Sequence, residues 1–404
     1  MLTPAAEGTV VWDDGAGPST LALPANTTSF VLGLLRPSTT VDLTFTDAAG
    51  ANLTATFETG PARIALTFDV VGSLDVPVLA FPFGCADQQS RLVLASPDGV
   101  VLGDLDLAAL HPTSGVRPIR GLRADGTDRL LAIVGNETLA EVDPVRGTSV
   151  ATRPGTVVHH DVVRHDGLLW ALTAEVLTFG GTDWVMDGLV AVPSGGVPER
   201  TWSLADVFTP TGSAPPSGYW ADTFDAPDYA HANSLAFDPS GRPILSLHRH
   251  DAILRLTPDL DADLLVVGSP ASDLAPGDVT LTGVVDPTFG SQHHVTAASD
   301  DEWWMFDNEG VDEGARALRL DFDGASAVAG DVRPTGRVCP GQGSVDVLDD
   351  GTVLADCSAQ ATFIAMDAAG IETWSMAVGC ATGSPSDATV YRVVPLWPDR
   401  AVVP

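Results

Sequence analysis

A chain of 404 residues that is 45% hydrophobic, with 40 Gly and 30 Pro, is too long for one ordinary core and too rich in turns for long helices. Its net charge of −33 comes from 53 acidic residues set against 20 basic ones, every one of them Arg. The lack of Lys excludes Schiff-base chemistry, the acidity argues against a nucleic-acid partner, and no apolar run reaches the ~20 residues of a membrane-spanning helix.

The chain opens on MLTPAAEG, without the basic and apolar regions of a signal peptide. The next residues alternate like strands. Val41 to Gly50 followed by Ala51 to Gly60 reads as a hairpin of apolar and Thr residues around an Asp-Ala-Ala-Gly turn. It resembles the last strands of a fibronectin-type β-sandwich. Residues 1–62 are therefore expected to form a small β-domain, with Pro61 starting the linker, and 63–404 a second, larger one.

From Ile64 a unit recurs: apolar strand, acidic four-residue turn, apolar strand, second turn. The first turns are Ser96 to Gly99, Arg123 to Gly126, Arg164 to Gly167, Asp238 to Gly241, Ser299 to Glu302 and Leu348 to Gly351. Six such units suggest a six-bladed β-propeller, whose blades repeat every ~40–50 residues. The expected fold class is all-β. The widest gap holds the Pro/Gly/Tyr-rich stretch from Phe208 to Tyr229, read as a loop inserted over one mouth of the channel.

Four scattered cysteines, with no CxxC, point to two disulfides in an oxidising compartment rather than a zinc ribbon. Cys339 and Cys357 flank one hairpin and can pair, which leaves Cys85 and Cys380 to tie the two ends of the chain. The expected location is periplasmic or secreted. Sequons at Asn26, Asn52 and Asn136 add little to this.

Eight of the nine histidines fall in three of the repeats. They occur in Val158-His159-His160-Asp161 with His165, in His231-Ala232-Asn233-Ser234 with His248-Arg249-His250-Asp251, and in Ser291-Gln292-His293-His294. Counted back from their turns, His159, Asn233 and His293 hold corresponding positions on first strands, which line a propeller channel. His231 is expected to share the strand face of Asn233, and Arg249 to lie on a neighbouring strand of the same blade. A lone strand histidine usually serves packing, but three groups in register argue for a site. No HExxH motif or acidic calcium loop accompanies them, and an Arg repels a cation while holding an anion, so no metal is expected and an oxyanion substrate is.

At these residues the chain resembles the bacterial arylsulfate sulfotransferase family. The marks run in order: His159-His160-Asp161, His231-Ala232-Asn233-Ser234, Arg249 to Ile253, Gln292-His293, Phe306-Asp307-Asn308, then Leu348 to Gly351 and Asp367 to Trp374. Glu309 interrupts the usual FDNG, and His248 replaces the Ser before the arginine. Whether His159 or His160 matches the family histidine stays open, because the H-acidic pattern favours His160 and the turn count favours His159.

The resemblance implies transfer of a sulfuryl group from an aryl sulfate to a phenol, independently of PAPS and without a cofactor. His293 would be the nucleophile, with His231, His159, His160, Arg249 and Asn233 as further catalytic residues. Gln292, His250 and Asn308 would contact substrate. His294, one residue on, is expected to point to the opposite strand face. Some of Trp170, Trp184, Trp220, Trp303 and Trp304 are expected to wall the pocket. The competing classes are an aryl sulfate hydrolase or other propeller hydrolase, and a propeller that only binds a ligand. No GxSxG supports a serine hydrolase, and a pure binder leaves the aligned His, Asn and Arg without a purpose.

Overall fold

The computed structural model describes residues 7–25, 27, 30–85, 90–110, 119–211, 218–283, 285–309, 314–381, 388–398 and 401–402. Asn26 and the middle of the inserted stretch lie outside these residues.

The hairpin expected near the N-terminus is present as Thr40–Asp47 and Asn52–Glu58, at one side of an antiparallel sheet with Gly8–Asp13 and Pro18–Leu23. Asp47 shapes its turn by accepting the backbone N–H groups of Ala49 and Ala51 at 2.9 and 2.8 Å. Val10, Trp12, Leu23, Val41, Leu43 and Phe45 cover one face of the sheet.

The rest of the chain is a β-propeller. Four meanders follow one another: Ile119–Thr152, Val157–Ser203, Ala232–Val267 and His293–Pro334. A fifth, Ser344–Cys380, takes Leu66–Gly72 as an extra outer strand. The remaining sheet holds Val78–Gly84, Arg91–Ala95 and Val101–Leu105, and it borrows its innermost edge from the C-terminal pieces Thr389–Val390 and Val394–Leu396. Each neighbouring pair of sheets shares a buried apolar cluster, and the last sheet shares one with the first. This packing explains the Val/Leu/Ile-rich runs: strands buried on both faces have no polar alternation to show.

The acidic turns work as the sequence suggests. Asp238 accepts from the Arg242 N–H at 2.9 Å, and Gly167 and Gly241 take positive φ values of 78° and 77°, where a side chain is strained. One unit is displaced. Ser96 to Gly99 joins the last two strands of its sheet, not the first two, because the innermost strand comes from the far end of the chain.

Both expected disulfides form: Cys85–Cys380 and Cys339–Cys357, separated by 295 and 18 residues, with no free cysteine among the described residues. Two disulfides fit an extracellular or periplasmic compartment. In the chain-entropy picture the long loop is worth about 6 kcal/mol and the short one about 3 kcal/mol. Breaking Cys85–Cys380 by paired Ser substitution should therefore cost more stability in a denaturant titration than breaking Cys339–Cys357. The reverse order would mean that the long bridge does not hold the sheets together.

Candidate active site

The site is built on a repeated irregularity. The innermost strands slip register between Arg120 and Arg123, between His159 and Val162, between Ala232 and Ser234, and between His293 and Thr296. Each slip is a β-bulge, which bends the strand and re-aims side chains. Gly121, His160 and His294 take the left-handed conformation at corresponding points, with φ of 58°, 53° and 51°. His231, just before its strand, has φ of 53°. For a non-glycine residue each such turn costs of order 1–3 kcal/mol, a cost that concentrates at functional sites. The bulges also break strict alternation, so neighbouring residues can both turn inward.

Four imidazoles meet as a result. His160 and His231 lie 4.8 Å apart between ring centres, His231 and His248 5.1 Å, and His248 and His293 5.1 Å. They come from three sheets. Tyr219 closes one side, 4.8 Å from His160 and 5.3 Å from His231, and Tyr391 stands 6.2 Å from His160. Tyr219 and Trp220, in the later described part of the inserted stretch, thus pack onto the histidines.

His293 has one readable tautomer. Its Nδ1 lies 2.9 Å from the Ser291 carbonyl and 2.8 Å from Asn308 Oδ1. The Asn308 amide is oriented by its own Nδ2, which donates to the Cys339 and Gln342 carbonyls. Both partners of Nδ1 are acceptors, so Nδ1 carries the proton and Nε2 keeps its lone pair. Burial, then the nearby His248, pushes His293 down to about 3. Burial and His231 push His248 to about 4, and burial with His231, His159 and Arg120 holds His160 well below the usual histidine value. These rings stay neutral at physiological pH. The Nδ1 of His231 donates to the buried carboxylate of Asp228 at 2.8 Å.

The doublet resolves in favour of His160. His159 turns away, its Nε2 3.3 Å from Asp187 and its ring on Trp220, while its Nδ1 shares a 2.8 Å hydrogen bond with His160 Nδ1. Other expected residues sit elsewhere. Asn233 donates to the Gln292 carbonyl at 2.7 Å and links two sheets, so it does not share the outlook of His231. Gln292 gives its amide to Ser246 Oγ and the Ala252 carbonyl, which makes it a clamp on the neighbouring sheet and not a substrate contact. His250 pairs with Asp273 at 2.5 Å beside Tyr229, outside the cluster. Asn308 holds His293 from behind.

Arg249 lies in the short 3₁₀ turn His248–His250 and not on a strand; it is exposed at the rim, its guanidinium against Gly218. His294 stands apart from the four clustered rings: it is buried, and its Nδ1 accepts the N–H of Val345 on the next sheet at 3.0 Å. Of the tryptophans, only Trp220 touches a site histidine among the described residues. Trp303 and Trp304 are both buried, in two different apolar clusters.

Three contributors escape sequence reading. His248 looks like a mere departure from the family pattern, yet it bridges His231 and His293. Asp228 and Tyr219 lie in the inserted stretch, where no repeat marks a position. Arg120 could have been found, because it holds in its bulge the place that His159 and His293 hold in theirs. Its guanidinium lies 4.8 Å over the Tyr219 ring, and its Nη1 is buried with no hydrogen-bond partner among the described residues.

The sequence matches no family profile, and no curated protein matches it in sequence. Among solved structures the chain is similar to a protein of unknown function from Bacteroides caccae, at 9% identity and a TM-score of 0.45, over 79% of this chain and 99% of that one. It is also similar to a catalytically inactive virginiamycin B lyase from Staphylococcus aureus with quinupristin, at 11% identity and a TM-score of 0.40, over 76% and 87% of the two chains. A streptogramin B lyase structure gives 8% identity and a TM-score of 0.42, over 80% and 89%. No function is carried over from likenesses of this strength.

The buried rings make a prediction about pH. His160, His248, His293 and His294 all have lowered values in the fold, so from the ordinary histidine value downward the unfolded chain binds protons that the folded one does not. Asp346 and Asp356, raised by burial to about 6 and about 7, act in the opposite sense, and Asp251 and Asp307, raised less by burial, add little to them, so the four histidines prevail. Stability should therefore fall between pH 6.5 and pH 5, read as a lower melting temperature in high salt that screens the surface charge. A higher melting temperature at pH 5 would refute the neutral cluster.

Proposed function

We propose that the chain is a PAPS-independent arylsulfate sulfotransferase, working in the periplasm or outside the cell. In this reading the six sheets form one six-bladed ring, and the Gly8–Glu58 sheet is a small accessory domain. The observation that carries the proposal is the fixed tautomer of His293, a neutral imidazole with its Nε2 lone pair facing a group of other imidazoles.

In the first half-reaction Nε2 attacks the sulfur of an aryl sulfate. The N–S bond forms, the S–O bond to the ring breaks, and its electron pair leaves on the phenolate oxygen. A phenol with pKa near 10 needs little help to leave, and a protonated His231, steadied by Asp228, can supply the proton. The sulfohistidine bears positive charge on the ring, which the Ser291 carbonyl and Asn308 Oδ1 stabilise through Nδ1–H. In the second half-reaction an acceptor phenol gives its proton to His231 and takes the sulfuryl group, restoring His293. The scheme is ping-pong and needs no nucleotide.

Release of 4-nitrophenol from 4-nitrophenyl sulfate should be stimulated by added phenol. Unstimulated release would mean a hydrolase, and no release a binding protein. His293→Ala should abolish transfer, a loss well beyond the ~3 kcal/mol of one missing hydrogen-bond donor. Asn308→Ala should slow it about ten- to a hundredfold by freeing the ring tautomer. Rapid quenching at alkaline pH should leave one sulfuryl group on the peptide containing His293. A label on His160 or His231, or turnover by His293→Ala, would overturn the assignment.

A further inference from the structure

The group with no assigned task is Arg120. It stands on an innermost strand, at the position equivalent to His159 and His293 in the neighbouring bulges. Its guanidinium stacks on Tyr219, whose ring edge meets His160 and His231, so the cation belongs to the wall of the histidine cluster. It makes no ion pair with a carboxylate among the described residues, and its Nη1 is buried without a hydrogen-bond partner.

A cation held this way is costly. Shielding part of a charged group from water is costly unless an opposite charge meets it. Arg120 is half-buried with its Nη1 shielded, and every other buried or half-buried Arg among the described residues has an acidic partner. Arg316 is paired with Asp307, Arg333 with Asp331 and Arg392 with Asp161. Arg120 is the exception, in a chain with more than twice as many acidic as basic residues.

Resting on the sulfuryl-transfer reading, we propose that Arg120 is the anion-binding residue of this site. It supplies the counter-charge to the sulfonate end of the substrate and selects singly charged esters over doubly charged ones. Planar guanidinium donors suit tetrahedral oxyanions, and Nη1 is free to donate. The selectivity follows from a count of charges. His160, His248 and His293 are neutral rings, and the Asp228–His231 pair, holding the one proton that the proposed reaction uses, is neutral as a whole. Arg249 at the rim is exposed, and water screens it. One positive charge is left uncompensated inside the pocket, which suits an aryl sulfate monoanion and disfavours an aryl phosphate dianion.

The test uses benzenesulfonate, which carries the same anionic head but no ester bond to break, measured by calorimetry on the full chain. Wild type should bind it, Arg120→Gln should weaken binding at least tenfold, and Arg120→Lys should fall between them. Arg249→Gln should change it less than threefold. Phenylphosphonate at pH 9, as a dianion, should bind at least tenfold more weakly than benzenesulfonate. Ligand-free Arg120→Gln should melt no lower than wild type, since it loses a buried charge and no partner. Undiminished binding in Arg120→Gln, equal or tighter phosphonate binding, or a marked drop in its melting temperature would each overturn the proposal. The two readings fail separately. If wild type transfers sulfuryl groups and Arg120→Gln does so with unchanged KM, the subsite falls and the reaction stands. If benzenesulfonate binds through Arg120 but no sulfuryl transfer occurs, the subsite stands and the reaction falls.

Discussion

The buried carboxylate of Asp161 holds the channel together. Arg123 meets it with two hydrogen bonds of 3.0 and 2.6 Å, and Arg392 adds one of 2.9 Å. The backbone N–H groups of Val162 and Leu235 donate to it at 3.0 Å each. A carboxylate so deep is tolerable only with this many partners, and removing one strands the others. The partners come from three different sheets and from the C-terminal segment that completes the first. Arg392 reaches Asp161 from the borrowed edge, and its neighbour Tyr391 donates to the His160 carbonyl at 3.1 Å. Joining the ends of the chain and shaping the histidine turn are thus one event. The left-handed His160 lies directly before Asp161, and its conformation is held from both sides.

This coupling explains which parts of the design were legible in the sequence. Turns with Asp and Gly, and strands rich in Val, Leu and Ile, carry local signals, so the repeats, the first hairpin and both cysteine pairs could be read directly. The borrowed innermost strand carries no local signal. Its residues, Thr389–Val390 and Val394–Leu396, look like any short apolar run, and so the first unit was counted one turn out of place. The site shows the same division. The histidine doublets announced themselves, but strict alternation was the wrong rule for them, since a bulge lies in each strand and no residue type announces a bulge other than Gly121. Alternation puts Asn233 beside His231, whereas the bulge between Ala232 and Ser234 leaves Asn233 to tie two sheets. Arg249 was misplaced for a related reason: a 3₁₀ turn interrupts the sheet where a continuous strand was expected, and it carries His248 inward and Arg249 to the rim.

Crowding of the imidazoles has chemical consequences of its own. One protonated ring raises the cost of protonating the next, and burial raises it for all of them. Among the described residues only His231 of the four rings has a carboxylate in contact, Asp228 at 2.8 Å. The division of labour needs no special tuning of His293. Its proton sits on Nδ1 because Asn308 and Ser291 offer only acceptors there, and its Nε2 stays a lone pair because His248 stands next to it. In the proposed reaction a nucleophile and a proton carrier, identical as residues, are thereby separated by their second partners alone.

The surface and the pocket carry opposite signs. A chain at −33 repels anions over the distance at which ions screen charge, about 8–10 Å in ordinary salt, so an anionic substrate gains nothing from long-range steering. Attraction has to be supplied at contact, from groups that water and counter-ions do not reach. A half-buried guanidinium such as that of Arg120 meets that requirement better than an exposed one, because its field is less screened and its planar donors are already set. On the proposed reading, the acidic surface and the half-buried, unpaired Arg120 are compatible parts of one arrangement. The first repels polyanions, and the second is reserved for a small anion that has entered the group of histidines.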